Sequence, residues 1–338
     1  MSIWANAAPK PADDVRSLED VVIVGSGPAG YTAALYAARA SFYPLVVEGL
    51  SPGGLLQGTD VVENFPGYPK GVLGPQLMAD LREQAERFGT RFLIREVDRI
   101  ELANAPGAPH RLWAAGREIS ARAVILATGA SPRVLGVPGE AELGGGRGVA
   151  YCAVCEAPLY AGRATIVIGG GDSAMEEALG LARHARSVVL VHRRSQFAAS
   201  PIMRRRVLES GRIRVLAPYV VEAFLAGPDG KLARTRVRNV DDGSIEELAA
   251  EGAFVAIGHT PRSTLVSAAV ETDARGYVTC RRDSERGTRE TSVPGVFACG
   301  DLVDSRYRQA VTAAASGCEA ALDAARYLET TSSEGDHG

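Results

Sequence analysis

Val21-Val22-Ile23-Val24-Gly25-Ser26-Gly27-Pro28-Ala29-Gly30 is an apolar run that ends abruptly in three spaced glycines. An Ala-rich helical pattern follows from Tyr31 to about Ala40, then a second apolar run from Pro44 to Glu48. The order is strand, glycine turn, helix, strand, with an acid at the end. In such a unit Gly25 permits the tight turn, Gly27 lets the backbone approach a pyrophosphate, and Gly30 lets helix and strand pack closely. Pro28 and Ala29 belong to the same cofactor-binding loop, and the helix that follows offers N-terminal amides and a positive dipole end that favour phosphate. Glu48 stands at the separation where an acidic side chain meets ribose hydroxyls.

A second copy begins at Ala164. Thr165-Ile166-Val167-Ile168 runs into Gly169-Gly170-Gly171-Asp172-Ser173-Ala174, a helix is predicted from Ala174 to Ala185, and a strand from Ser187 to Val191. This copy ends in His192-Arg193-Arg194 where the first ends in an acid. A carboxylate repels a 2′-phosphate and guanidinium forks pair with it. The first loop therefore suits an unphosphorylated adenine ribose such as that of FAD, and the second, through Gly169, Gly171, Asp172, Ser173, Ala174, Arg193 and Arg194, suits NADP(H). Further on, Arg204-Arg205-Arg206 reads as the solvated face of a helix.

Ala123 to Gly129 and Phe254 to Gly258 supply a returning strand to each copy, and an Ala-rich helix after Gly300-Asp301 is expected to end near Leu328, with a frayed polar tail. Alternating strands and helices predict an α/β protein with parallel sheets. The length of 338 residues accommodates two domains. A net charge of −3 makes no electrostatic case for nucleic acid or an anionic membrane, and no apolar run is long enough to span a bilayer. The opening residues do not read as a signal peptide, so a cytoplasmic setting is expected.

Between the two loops lies Cys152-Ala153-Val154-Cys155. A Cys-x-x-Cys pair beside βαβ units reads as redox-active, and Glu156, the next residue, is the nearest candidate for proton transfer. No second Cys-x-x-Cys and no His at ligand spacing accompanies it, so the pattern does not point to a metal. Cys280, Cys299 and Cys318 are isolated and read as buried or half-buried thiols.

From about Leu18 to Leu328 the chain resembles the low-molecular-weight thioredoxin reductases, class II pyridine nucleotide-disulfide oxidoreductases. The resemblance rests on Gly25 to Gly30, Val62-Glu63-Asn64-Phe65-Pro66-Gly67, Ala127 to Ala130, Gly148 to Cys155, Gly169 to Ala178, Ala256 to His259, Gly300-Asp301 and Tyr307-Arg308-Gln309-Ala310. It implies two Rossmann-like three-layer domains, the second inserted in the first: an FAD domain from residues 1–134 and 262–338, and an NADP(H)-type domain from 135–261 carrying the cysteines. It further implies a homodimer and a rotating second domain. Gly300, Asp301 and the Arg308-Gln309-Ala310 segment would hold the flavin, with Asn64 near it. Cys155 would face the flavin and Cys152 would attack the substrate disulfide.

The departures cluster at function. The family follows its second cysteine with Asp-Gly and two aromatics, where this chain has Glu156-Ala157-Pro158-Leu159. The added methylene moves the carboxyl oxygens by about an ångström, which matters for proton transfer. Losing two rings removes typical anchors of a protein interface. Ala198 stands where the family has a further arginine, and one lost charged contact weakens a nucleotide by about 1.5–3 kcal/mol. These changes spare the thiols and the flavin loop. The leading expectation is therefore an FAD-dependent dithiol oxidase that closes a disulfide in a small molecule or peptide with oxygen as acceptor. The alternatives are an NADPH-dependent thioredoxin reductase and a non-catalytic flavin-binding regulatory protein.

Overall fold

The computed structural model describes residues 15–59, 61–281 and 288–335, with the side chains of 154, 155 and 332–335 left aside. Its helices, among the described residues, are α1 (Pro28–Arg39), α2 (Gly74–Arg87), α3 (Ala153–Glu156), α4 (Asp172–Leu181), α5 (Pro201–Glu209) and α6 (Ala310–Gly335). The chain forms two compact units, one from the segments up to Ser131 and from Thr260 onward, the other Pro132–His259. The sequence reading put the crossings after 134 and after 261.

Edge to edge, the sheet of the first unit runs Arg91–Leu93, Leu45–Val47, Glu19–Val24, Arg117–Leu126, His110–Ala114, Val97–Glu101. Pairing is parallel as far as Arg117–Leu126 and antiparallel beyond it. Val296–Ala298 joins in parallel beside Val124–Leu126. The quoted strand is apolar at every position because both faces of the sheet are covered. Val21 and Ile23 enter the core shared with α1 and α6, whereas Val22 and Val24 enter the opposite core with Leu112, Ile119 and Val266. Each such side chain contributes roughly 1.5–3 kcal/mol by leaving water.

Alanines let α1 and α6 approach closely: Ala33, Ala34, Ala320 and Ala324 are wholly buried. A Cβ on Gly317 would lie 2.1 Å from the Ala29 carbonyl oxygen, so a helix this close requires glycine there. The helix runs on to Gly335, past the expected end near Leu328. There Thr330 and Thr331 turn their hydroxyls back onto the carbonyls of Arg326, Tyr327 and Leu328.

The second unit is built in three layers. Its parallel sheet runs Val149–Ala150, Gly252–Val255, Ala164–Ile168, Ser187–Val191, Ile213–Leu216. Val167, Val188, Leu190 and Phe254 face the helices, packing on Ala174, Met175, Leu181 and Met203. Ile166, Ile168 and Val255 face the other way, onto an antiparallel sheet of Tyr219–Ala226, Leu232–Asn239 and Ile245–Ala249 that the sequence reading did not identify. No helix among the described residues is long and apolar enough to cross a membrane.

Candidate active site

The first glycine loop joins strand Glu19–Val24 to α1, and its glycines divide by what surrounds them. Gly25 has φ 112°, and a Cβ there would sit 2.3 Å from the Ala127 carbonyl oxygen. One on Gly30 would lie 2.1 Å from the Gly25 carbonyl oxygen. Packing thus requires both glycines. A Cβ on Gly27 meets nothing within 4 Å. Gly27 is the N-cap of α1 and offers no side chain to its first amides, with Pro28 opening the helix. The loop therefore keeps a bare, open backbone at the helix end, where a pyrophosphate fits.

Glu48 follows the second strand as expected, but its carboxylate turns inward. Its side chain is fully buried. Oε1 accepts hydrogen bonds from the Tyr31 hydroxyl at 2.7 Å and from Arg82 Nε at 2.9 Å. A buried carboxylate takes a cation and a phenol as partners because it cannot stay bare. Burial, reinforced by Glu48, raises the Tyr31 phenol above its ordinary range. The Glu48 backbone carbonyl accepts from Ser26 Oγ at 2.7 Å, and Ser26 Oγ accepts from the Gly53 amide at 3.1 Å. The acid thus braces the loop from beneath.

The C-terminal part of the chain returns to the same unit. Gly300, at φ 68°, donates its amide to Ser316 Oγ at 2.8 Å and lies against Ala29. Asp304 organises the next turn: its carboxylate accepts from the amides of Arg306, Tyr307 and Arg308. Arg308 takes φ 49°, and Gln309 Oε1 accepts from Asn64 Nδ2 at 3.1 Å. Ala310 opens α6. Asn64, Gln309 and Ala310 are thereby brought together from positions far apart in sequence. Burial, with Asp304 nearby, pushes the Asp301 carboxyl up to about 6 against the pull of Arg308. A partly buried acid under such strain is suited to a polar ligand group that would hydrogen-bond it.

In the second unit the loop Gly169 to Gly171 repeats the division. A Cβ on Gly169 would collide with the Ala256 carbonyl oxygen at 2.4 Å and with Ala174, and one on Gly170 with the His192 ring at 2.2 Å. One on Gly171 meets nothing within 4 Å. The His192 imidazole stacks on Phe197, and its Nε2 lies 3.1 Å from the Gln196 carbonyl oxygen. Burial, and Arg194 and Arg193 beside it, hold His192 below the usual histidine range. The Ala199 amide donates to the Gly170 carbonyl at 3.0 Å, and the Ser200 amide to Asp172 Oδ1 at 2.6 Å. Asp172 therefore closes the loop on itself. Ser173, Arg193, Arg194 and Ala198 remain exposed around it.

Strand Val149–Ala150 delivers Tyr151 and then Cys152, which caps the single turn of α3 and is disulfide-bonded. Cys155 is the third residue of that turn, so the backbone brings it round to the level of Cys152; its side chain lies outside the described residues. Glu156 ends the turn, half-buried. Behind it Ala157 and Tyr160 are buried, Tyr160 edge-on to Phe254 at 5.2 Å, while Leu159 is 40% exposed. The remaining thiols are free: Cys299 is buried, and burial drives Cys280 up to about 11 and Cys299 up to about 12. Such thiols are poor nucleophiles. Among the described residues no cluster of three His, Cys, Asp or Glu could hold a metal.

The family model for pyridine nucleotide-disulphide oxidoreductases matches residues 19–317. The chain is 48% identical over 314 residues to the thioredoxin reductase of Mycolicibacterium smegmatis, covering 93% of this chain and 97% of that one. It belongs to the low-molecular-weight thioredoxin reductase family. Another member, the bifunctional thioredoxin reductase/thioredoxin of Mycobacterium leprae, is 50% identical over 332 residues, which are 95% of this chain and 70% of that one. The solved thioredoxin reductase from Giardia duodenalis superposes with a TM-score of 0.84 at 36% identity, covering 93% of this chain and all of that one. As a member of the thioredoxin reductase family the protein is a flavin-dependent disulfide oxidoreductase; the family binds FAD and uses NADPH. Both open glycine positions, Gly27 and Gly171, fit that pair of nucleotides.

Proposed function

We propose that the protein is an NADPH-dependent thioredoxin reductase. The dithiol-oxidase activity expected from residues 156–159 and Ala198 gives way to this alternative, because relatives that match more than nine-tenths of the chain are named thioredoxin reductases. The geometric observation that supports it is the second loop. Arg193 and Arg194 stand exposed on a segment held to Gly170 and Asp172 by the Ala199 and Ser200 amides. Two exposed guanidinium groups beside a braced glycine loop suit the 2′-phosphate of NADPH, the reductant of this reading.

FAD, when bound, supplies a two-electron carrier between a nicotinamide and a disulfide. Gly25, Gly27, Pro28, Ala29 and Gly30 would hold its pyrophosphate at the head of α1, with Gly300, Asp301, Asn64, Arg308, Gln309 and Ala310 around the rest. Glu48 would brace this loop from beneath, through Ser26 and Tyr31. Gly169, Gly171, Ser173 and Ala174 would receive the NADPH pyrophosphate and Asp172 closes their loop. Arg193 and Arg194 would pair with the 2′-phosphate as guanidinium forks.

In the reduced pair the Cys152 thiolate attacks one sulfur of the substrate disulfide, forming a mixed disulfide and releasing the other substrate sulfur as a thiolate. The Cys155 thiolate then attacks Cys152 Sγ, recloses the pair and frees the second substrate thiol. Glu156, the residue after Cys155, would supply the proton that a departing thiolate takes up. The expected partner is thioredoxin, the expected assembly a homodimer and the expected setting cytoplasmic.

Anaerobic NADPH is expected to bleach the visible flavin band of the holoenzyme, and NADPH oxidation is expected to become continuous when oxidised thioredoxin is added. Bleaching by a small dithiol but not by NADPH, with oxygen uptake on re-aeration, overturns the reductase in favour of the oxidase. Turnover that survives Cys155→Ser overturns the cysteine relay itself.

A further inference from the structure

Glu140 has no place in the chemistry so far described, yet it is 4% exposed and its carboxylate is fully engaged. Oε1 accepts from the Leu135 amide at 2.9 Å and Oε2 from the Gly136 amide at 2.7 Å. Oε1 also accepts from the Tyr151 hydroxyl at 3.2 Å. Leu135 and Gly136 lie just inside the point where the chain enters the second unit at Pro132. Tyr151 is covalently joined to Cys152.

The turn around Glu140 is rigid on its other side too. Gly139 holds φ 84°, and a Cβ there would strike the Phe224 carbonyl oxygen at 2.1 Å. The Phe224 amide donates to the Pro138 carbonyl at 2.9 Å, and Glu140 donates its own amide to Val137. The acid is therefore fixed to the antiparallel sheet before it meets Tyr151. Ladder pairing of the strand that leads to the cysteines ends at Ala150, opposite Phe254. One residue further on, the hydrogen bond from the Tyr151 hydroxyl carries the anchorage up to the cap of α3. Burial and Glu140 push that phenol up to about 12, so it stays a donor throughout the neutral range.

We propose that Glu140 is a positioning residue for the redox pair, acting through Tyr151 to hold the backbone of Cys152 in place while its disulfide is open. When the pair is reduced the covalent tether between the two sulfurs is gone, and a one-turn helix has little stability of its own. Reclosure needs Cys152 to stay aligned for in-line exchange, where small displacements cost rate. The two amides on Glu140 tie that alignment to the segment by which the chain enters the unit. The proposal rests on the cysteine relay of the reductase reading, and not on the identity of the reductant or the partner.

The test compares Tyr151→Phe, which deletes one oxygen, with Glu140→Gln, using the FAD-loaded enzyme. Two measurements need neither NADPH nor thioredoxin: the rate at which oxidised glutathione recloses the reduced pair, followed by alkylation of Cys152, and the equilibrium of the pair in glutathione buffers. Both variants are expected to keep their FAD and their NADPH bleaching rate while reclosure slows by about five-fold, the factor one hydrogen bond supports. Their glutathione equilibrium is expected to shift in favour of the dithiol. Unchanged rate and equilibrium in Tyr151→Phe overturn the proposal even if Glu140→Gln fails to fold. Equal losses in the NADPH and reclosure reactions also overturn it, since they report general damage. A wild type that ignores thioredoxin removes the reductase reading and leaves these measurements intact.

Discussion

Asp301 and His110 are two titrating side chains of the same unit, and their pH effects have opposite signs. Burial raises Asp301 to about 6. The unfolded chain loses that proton first, so this group's share of stability is present below the ordinary aspartate range and is lost as pH rises through about 6. His110 is wholly buried on strand His110–Ala114, its Nδ1 accepting from the Ala103 amide at 3.1 Å, and burial lowers it to about 4. Its share is present above the ordinary histidine range and is lost as pH falls through about 4. The two slopes oppose one another between about 4 and 6. Asp301→Asn should stabilise the apoprotein at neutral pH by on the order of 2 kcal/mol and expose the His110 slope below pH 6. It should also weaken FAD retention. Thermal melts across pH, with and without FAD, check both; an apoprotein curve unaltered by the substitution removes the Asp301 argument.

The two glycine loops were legible at the level of elements because everything that defines them is local. Gly25, Gly27 and Gly30 span one turn, and the strand before them is apolar on both faces. Glu48 shows where that reading stops: its position followed from spacing, but its inward turn depends on Arg82, a residue of α2 that no local pattern attaches to it. The Asn64–Gln309 contact and the Glu140–Tyr151 anchor were out of reach for the same reason. The antiparallel sheet of the second unit was missed because Arg234, Arg236 and Arg238 alternate along one strand with glutamates opposite, which reads as plain surface. The paired roles of the glycines give a sharp comparison. Gly170→Ala forces a methyl into His192 and should cost about 1–3 kcal/mol of stability. Gly171→Ala meets open space and should leave the melt unchanged while raising KM for NADPH several-fold. Equal effects of the two on KM, with no difference in melting, contradict the division.

At the scale of the whole molecule, the second unit is one continuous stretch, whereas the first is split around it. Residues 132–259 carry a complete parallel sheet with both faces covered by their own helices and strands. Expressed alone, that segment should fold cooperatively and keep Cys152 oxidisable. A segment that shows no cooperative melt counts against its independence. Residues 1–131 alone should not fold, because α6 and strand Val296–Ala298 are missing from their core.

That split dictates an order of events at the ribosome. Strand Arg117–Leu126 is synthesised early, but the edge at Val124–Leu126 stays open until Val296–Ala298 emerges. Translation of the intervening stretch occupies on the order of ten seconds. For that interval the apolar segment Val124–Leu126 lacks its partner and is open to a neighbouring chain. Holdase chaperones should therefore engage the N-terminal segment during synthesis and release it once Val296–Ala298 has emerged, which makes premature stop codons upstream of Val296 more prone to aggregation than to simple loss of activity.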